Sequence, residues 1–270
     1  MEAAVQFQPS RGVPTVIFSE DPPTLLAQPD VEHIYPFARR PPRYFIVSQG
    51  RSGSSLLAAI LDDCGADFGP GAHDGRWNSP EIDRAIRCAH LATRNFGPAA
   101  SGLARAAYKF WRSKAKRLLR TALRDADFSK NHWSTSILPL VERLGYRPVM
   151  IVSWRNPAEV AVRDMVQLKN PPSTFMPAIL QAYMDSFYSL VRYGGVVIDH
   201  ADLTNPDAVD WAHALAQVTG LPARDLLSSR RRLLRRREPQ PVADIWAQAE
   251  IESIAQSLAH LKNHPVPPAI

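Results

Sequence analysis

Two short stretches hold the residues best placed to do chemistry. The first is Gly50-Arg51-Ser52-Gly53-Ser54-Ser55, which follows the apolar run Tyr44–Val47 and precedes Leu56-Leu57. Small residues let the backbone approach a ligand closely. The apolar helix that should follow offers unpaired N–H groups and a positive dipole end. With the Arg51 charge added, such a turn cradles a phosphate-like anion. The plainer alternative is a strand-to-helix turn that uses Gly and Ser only for geometry and capping. The second stretch is Ser153-Trp-Arg-Asn-Pro-Ala-Glu-Val-Ala-Val-Arg163, where Arg155 leaves the apolar run Pro148–Trp154. A guanidinium there can form paired hydrogen bonds to a phosphate. Its alternative is an arginine that pairs with a neighbouring loop or exits to solvent. Two residues separate Gly50 from Gly53, and no Gly-Lys-Ser/Thr follows. That departs from the loop of ordinary ATPases and GTPases.

Three buried strands are needed to position these turns. They are expected at 43–48, 148–154 and 195–199, with a shorter one at 127–131. Helices are expected at 54–63, 80–93, 99–124, 134–144, 157–168, 175–193, 206–219, 222–237 and 241–262. Strands that alternate with helices give an α/β fold, a central parallel sheet flanked by helices. Both turns then lie at the carboxyl ends of strands, where such sheets bind ligands.

The chain has 270 residues, 45% hydrophobic and 21% charged, which suits a globular protein with a sizeable core. Eight of the 24 prolines fall in residues 1–42, read as a Pro-rich extension before a single domain over 43–270. The net charge of +6 suits an anionic cofactor, an acidic acceptor, nucleic acid or a membrane surface. Cys64 and Cys88 are too few for a disulfide framework and lack metal-site spacing. With no membrane-length apolar run and no signal-like segment, a cytoplasmic location is expected.

Taken together and in order, about one hundred residues apart, Gly50-Arg-Ser-Gly-Ser-Ser-Leu-Leu57 and Arg155-Asn-Pro-Ala-Glu-Val-Ala161 resemble the loops of the sulfotransferases that use 3′-phosphoadenosine 5′-phosphosulfate, and the bacterial branch in particular. Fainter likenesses are Asn78-Ser-Pro-Glu81, Lys130-Asn131 and Val196–Pro206, so the resemblance spans roughly 43–221. It implies a P-loop-like nucleotide-binding fold in a single domain and a metal-free transfer of a sulfuryl group to a hydroxyl or amine of a carbohydrate or small metabolite. It further implies that residues 50–55 hold the 5′-phosphosulfate. Arg51 would face the bridging oxygen, and Arg155 would bind the 3′-phosphate. The family usually has serine where this chain has Arg163; the larger cation either reaches the same phosphate or leaves one ligand missing. A base for the acceptor is sought among Glu81, His73, Asp74 and His132, with Glu81 in the position favoured by the resemblance.

Two basic segments stand apart from these loops. Lys109, Arg112, Lys116 and Arg120 recur at helical spacing beside an apolar stripe, a pattern of either a solvated face or contact with an anionic or membrane surface. Residues 230–237 hold six arginines, open to an anionic acceptor, the 3′-phosphate, or a solvated helix face. The absence of aromatic residues from 224–238 argues against nucleic acid. Two rival readings stand: a degenerate fold kept as an anion- or partner-binding module, and a small-molecule kinase with Asp199 as its acidic residue.

Overall fold

The computed structural model describes residues 40–49, 52–72, 77, 79–94, 102–161, 172–234 and 265–266. All belong to one compact unit that spans 39–270. The chain forms β1 (Pro42–Val47), α1 (Ser54–Asp63), α2 (Pro80–Arg94), α3 (Gly102–Ala122) and β2 (Phe128–Lys130). A short 3₁₀ turn (Ser134–Ile137) leads into α4 (Leu138–Arg143) and then β3 (Arg147–Trp154). A helical stretch at 157–161 (α5) follows. Next come α6 (Pro172–Tyr193), β4 (Gly195–Asp199), α7 (His200–Thr204), α8 (Asp210–Thr219), α9 (Ala223–Leu233) and β5 (Pro265–Val266).

The sheet order is β2-β1-β3-β4-β5. The first four strands are parallel, with Ile46 opposite Ile151 and Trp154 opposite Asp199. β5 runs antiparallel at the edge beside Gly195 and Val196, an addition to the expected parallel sheet. Side chains alternate between two cores, as the period of a strand requires. Phe45, Val47, Met150, Val152 and Val197 face a core completed by α2–α6. Tyr44, Ile46, Val149, Ile151, Val196 and Ile198 face one closed by α1, α8 and α9 around Trp211. Helices thus cover both faces, and the strands read as unbroken apolar runs because each is buried on both sides. At Gly195 the φ is +143° and a Cβ would lie 1.8 Å from the Met150 carbonyl oxygen, so only glycine lets β4 begin this close to β3.

Differences from the expected elements cluster after β4. The helix expected from 206 starts at Asp210. Before it lies the short helix α7, which the Asp199 carboxylate caps by accepting from the Ala201 N–H at 2.8 Å. Asn205 then closes a turn by accepting from the Asp207 N–H. The helix expected to run to 237 stops at Leu233, with Leu234 extended. The expected helix at 241–262 and most of the expected N-terminal extension lie outside the described residues.

The arginine run that begins in α9 departs further from expectation. Arg230 is not a surface cation but is buried. Its Nη1 donates to the carbonyls of Asn205 and Ala208, at 2.6 and 2.8 Å, and its Nη2 to that of Pro206 at 2.7 Å. Its guanidinium also sits above Trp211. This clamp ties α9 to the loop between α7 and α8. Arg232 pairs with Asp63 at the end of α1. Two cations of the run are therefore committed to holding helices in place, while 235–237 lie outside the described residues.

Candidate functional site

The strand order reverses direction between β1 and β3: from β1 the chain crosses to β2 on one side, then to β3 and β4 on the other. A crevice opens at such a switch point beyond the carboxyl ends of the strands. Both motif turns sit there. The turn after β1 leads into α1, and residues 155–156 lead into α5. The first turn is tied to the end of β3, two residues before Arg155, because the buried Ser153 hydroxyl donates to the Ser52 carbonyl at 3.0 Å. This bond extends the β1–β3 pairing past the ends of the two strands.

Of the first turn, Ser52, Gly53, Ser54 and Ser55 are described, whereas Gly50 and Arg51 lie outside the described residues. Gly53 caps α1 with φ +92°, the left-handed region that favours glycine. A Cβ on it would lie 2.4 Å from Cδ2 of His200, so the imidazole at the end of β4 is packed against the turn. Sequence reasoning gave no weight to His200, since nothing local links it to Gly53. Among the described residues, neither a side-chain cap nor a first-turn acid compensates the positive end of α1. The Ser52 hydroxyl is buried without a hydrogen-bond partner.

Arg155 is held by its own helix. Its Nε and Nη2 reach the Glu159 carboxylate at 2.7 and 2.6 Å, one turn on, with only 12% of the arginine side chain exposed. The expected alternative was an ion pair with another loop; the pair instead lies within the motif. Nη1, the remaining nitrogen, is buried and has no partner among the described residues. A buried charged donor without an acceptor is costly unless an oxygen supplied from outside takes it. Asn156 accepts from the Ala158 N–H and caps α5, with Pro157 at the first helical position. The Arg155 carbonyl accepts from the Tyr183 hydroxyl at 3.0 Å, which fixes the backbone where the side chain departs. Burial raises the Tyr183 pKa well above the usual tyrosine range, so the phenol keeps its proton and donates at any physiological pH.

The last residue of β2 supplies a cation. Lys130 extends over the start of α1 and donates from Nζ to the Ser55 hydroxyl at 2.9 Å. Trp77 lies beneath the ammonium, 5.4 Å away, and its carbonyl accepts from the Lys130 N–H. Trp77 itself adopts φ +47°, a conformation few bulky residues sustain. Burial holds the Lys130 pKa below the usual lysine range. The sequence marked Lys130 only as part of a faint likeness; its approach to Ser55 comes from the pairing of β2 with β1.

Beside it, Asn131 donates to Asp83 of α2 at 2.7 Å and accepts from the Trp133 N–H. His132 follows, exposed, with its ring 5.0 Å from that of Trp133. Partial desolvation, then the Lys130 charge, hold its pKa below the ordinary histidine value. The imidazole is therefore neutral and able to accept a proton at neutral pH. Glu81 stands on the first turn of α2, which Ser79 caps by accepting from the Ile82 N–H. Residues two apart on a helix diverge by about 200°. Asp83 meets the Lys130 loop, so Glu81 points elsewhere, toward Arg84 at 3.5 Å. His73, Asp74 and Arg163 lie outside the described residues. Asp199 spends one oxygen on capping α7.

Hydrogen bonds thus link Ser52 to the end of β3 just before Arg155 and Ser55 to Lys130, whereas Glu81 pairs with Arg84 on its own helix. In comparison with known proteins, no family model matches the chain and no curated protein is similar to it. Among solved structures, the sulfotransferase domain from the Synechococcus PCC 7002 olefin synthase is similar to it at 14% identity and a TM-score of 0.37, over 82% of this chain and 95% of that one. At that distance the functional reading must rest on the residues of the crevice themselves.

Proposed function

We propose that the crevice binds a phosphorylated nucleotide and that the protein is a sulfotransferase, taking 3′-phosphoadenosine 5′-phosphosulfate as sulfuryl donor and a hydroxyl or amine of a carbohydrate or small metabolite as acceptor. One observation carries the reading. The first turn is hydrogen-bonded to the end of β3, two residues before Arg155, and the two stretches resembling the sulfotransferase loops each present a buried polar group without a partner among the described residues: the Ser52 hydroxyl and Arg155 Nη1. Both groups suit phosphate oxygens, as does the uncapped start of α1.

Transfer breaks the S–O bond to the bridging phosphate oxygen and forms one to the acceptor oxygen, whose proton must leave. Negative charge therefore grows on the phosphate side. A cation aimed there stabilises the transition state more than the ground state. Lys130 is that cation among the described residues, and Arg51 is its proposed companion from the first turn. Lys130 also orients Ser55, and its partial desolvation strengthens its field at short range. His132 takes the acceptor's proton in this reading; Glu81 is the alternative base. The seat of the 3′-phosphate is Arg155, whose Nη1 is left open beside its pair with Glu159, and Arg163 is proposed to add a second cation there.

The test is calorimetric binding of 3′,5′-bisphosphoadenosine, with AMP and Mg-ATP as controls. Micromolar binding that requires the 3′-phosphate, needs no magnesium and is lost in Arg155→Ala supports the reading. Preference for Mg-ATP would turn it toward a kinase. Binding without sulfuryl transfer to any acceptor in a broad screen would leave an anion-binding module.

A further inference from the structure

Helix α3 presents an outer face on which no core of the described residues is built. Its packed side is Ala115, Leu119 and Ala122, with Trp111 and Leu118 alongside. On the outer side Leu103 is 85% exposed and Phe110 59% exposed. They are seven residues apart, so they stack on one line two turns long. The exposed Ala106 lies beside that line. The helix carries Lys or Arg at seven of its 21 positions and not one acid. By helical geometry Lys114 and Arg117 flank the apolar ridge within about 40° of it. Lys109 and Arg120 lie further round the exposed side. Lys114 leans across the Trp111 ring, with its ammonium 5.2 Å from the centroid. An apolar ridge with cations along it and no carboxylate fits a surface that is apolar below and anionic above.

We infer that α3 seats on a bilayer bearing anionic lipids, with Leu103 and Phe110 entering the acyl boundary and the flanking cations at the level of the phosphates. The charge pattern selects this occupant. A nucleic acid would satisfy the cations but leave the ridge in water, and a neutral apolar partner would strand the cations. The helix lies on the surface: among the described residues no helix is long and apolar enough to cross a membrane. The inference does not depend on what the crevice binds. If the crevice transfers a group, a lipid or membrane-bound acceptor becomes the class to screen first.

Flotation of the full chain with vesicles tests it. Neutral phosphatidylcholine vesicles are compared with vesicles in which about a third of the lipid is phosphatidylglycerol, at low and high salt. Binding is expected to the anionic vesicles only, and to fall as salt rises. Each cation near the surface contributes about fivefold, so the triple variant Lys109→Gln, Lys114→Gln, Arg117→Gln is expected to bind about a hundredfold more weakly. The double variant Leu103→Ser, Phe110→Ser should lose vesicle binding yet keep its retention on a heparin column, which reads charge alone. All five side chains are peripheral, so circular dichroism should show both variants folded. No binding by the parent chain, equal binding to neutral vesicles, or unchanged vesicle binding by either variant would overturn the inference. Loss of heparin retention together with vesicle binding in the serine variant would also overturn it.

Discussion

Gly53→Ala probes the geometry of the first turn with a cost that divides into two parts. The first is backbone strain: alanine at φ +92° sits in left-handed space, at about 1–2 kcal/mol. The second is overlap. The new Cβ would meet Cδ2, Cγ and Nε2 of His200 at 2.4, 3.1 and 3.2 Å. Carbon atoms rest at about 3.5–4.0 Å, so the ring must retreat by about 1 Å. Forcing an extra methyl into a packed site costs about 1–3 kcal/mol. The single variant should therefore lose about 2–5 kcal/mol. Replacing His200 with alanine removes the overlap and leaves the strain, so Gly53→Ala in the His200→Ala background should cost only about 1–2 kcal/mol. Urea unfolding of the four proteins gives the cycle, with constant m-values as the check on two-state behaviour. Equal costs in the two backgrounds would show that His200 does not occupy the space beside Gly53. A negligible cost in both would refute the left-handed turn and, with it, the shape of the cradle.

Three further outcomes are expected. Arg230→Ala removes three charge-assisted hydrogen bonds and strands the carbonyls of 205, 206 and 208; it should cost about 3–5 kcal/mol in urea unfolding, and a loss below about 1 kcal/mol would refute the clamp. Glu159→Gln removes a carboxylate from beside the proposed 3′-phosphate seat while the amide oxygen still accepts from Arg155; it should tighten 3′,5′-bisphosphoadenosine about fivefold and leave AMP unchanged, and weaker binding would mean that Glu159 positions the fork rather than competes for it. The acid limb of the transfer rate should fall through a midpoint below the ordinary histidine value of about 6.5 and vanish in His132→Gln. In the same window the unfolded chain binds the His132 proton first, so this residue makes stability rise with pH between its depressed folded pKa and about 6.5. A limb that survives in His132→Gln but is lost in Glu81→Gln would move the base to α2.

Much of the fold is legible from the residues alone. Tyr44–Val47, Pro148–Trp154 and Gly195–Asp199 are apolar runs too short for helices, and the Gly and Asn-Pro turns after the first two mark strand ends. These are local signals, and local chemistry fixes them. The start of α1 at Ser54 and the cap at Asn156 follow from the same source. What the sequence does not carry is which distant residues meet. Lys130 reaches Ser55 because β2 pairs with β1, and the Ser153 hydroxyl finds Ser52 because β3 lies on the other side of that strand. His200 lies against Gly53 because β4 ends level with the crevice. Arg230 belongs to an arginine run that locally suits solvent, yet three carbonyls of a loop 22 to 25 residues earlier draw it inside. The chemistry of each side chain and the periodicity of each element were determined along the chain. The crevice itself was decided by tertiary structure, because strand order and register are settled by burying both sheet faces at once, a condition no single segment can meet.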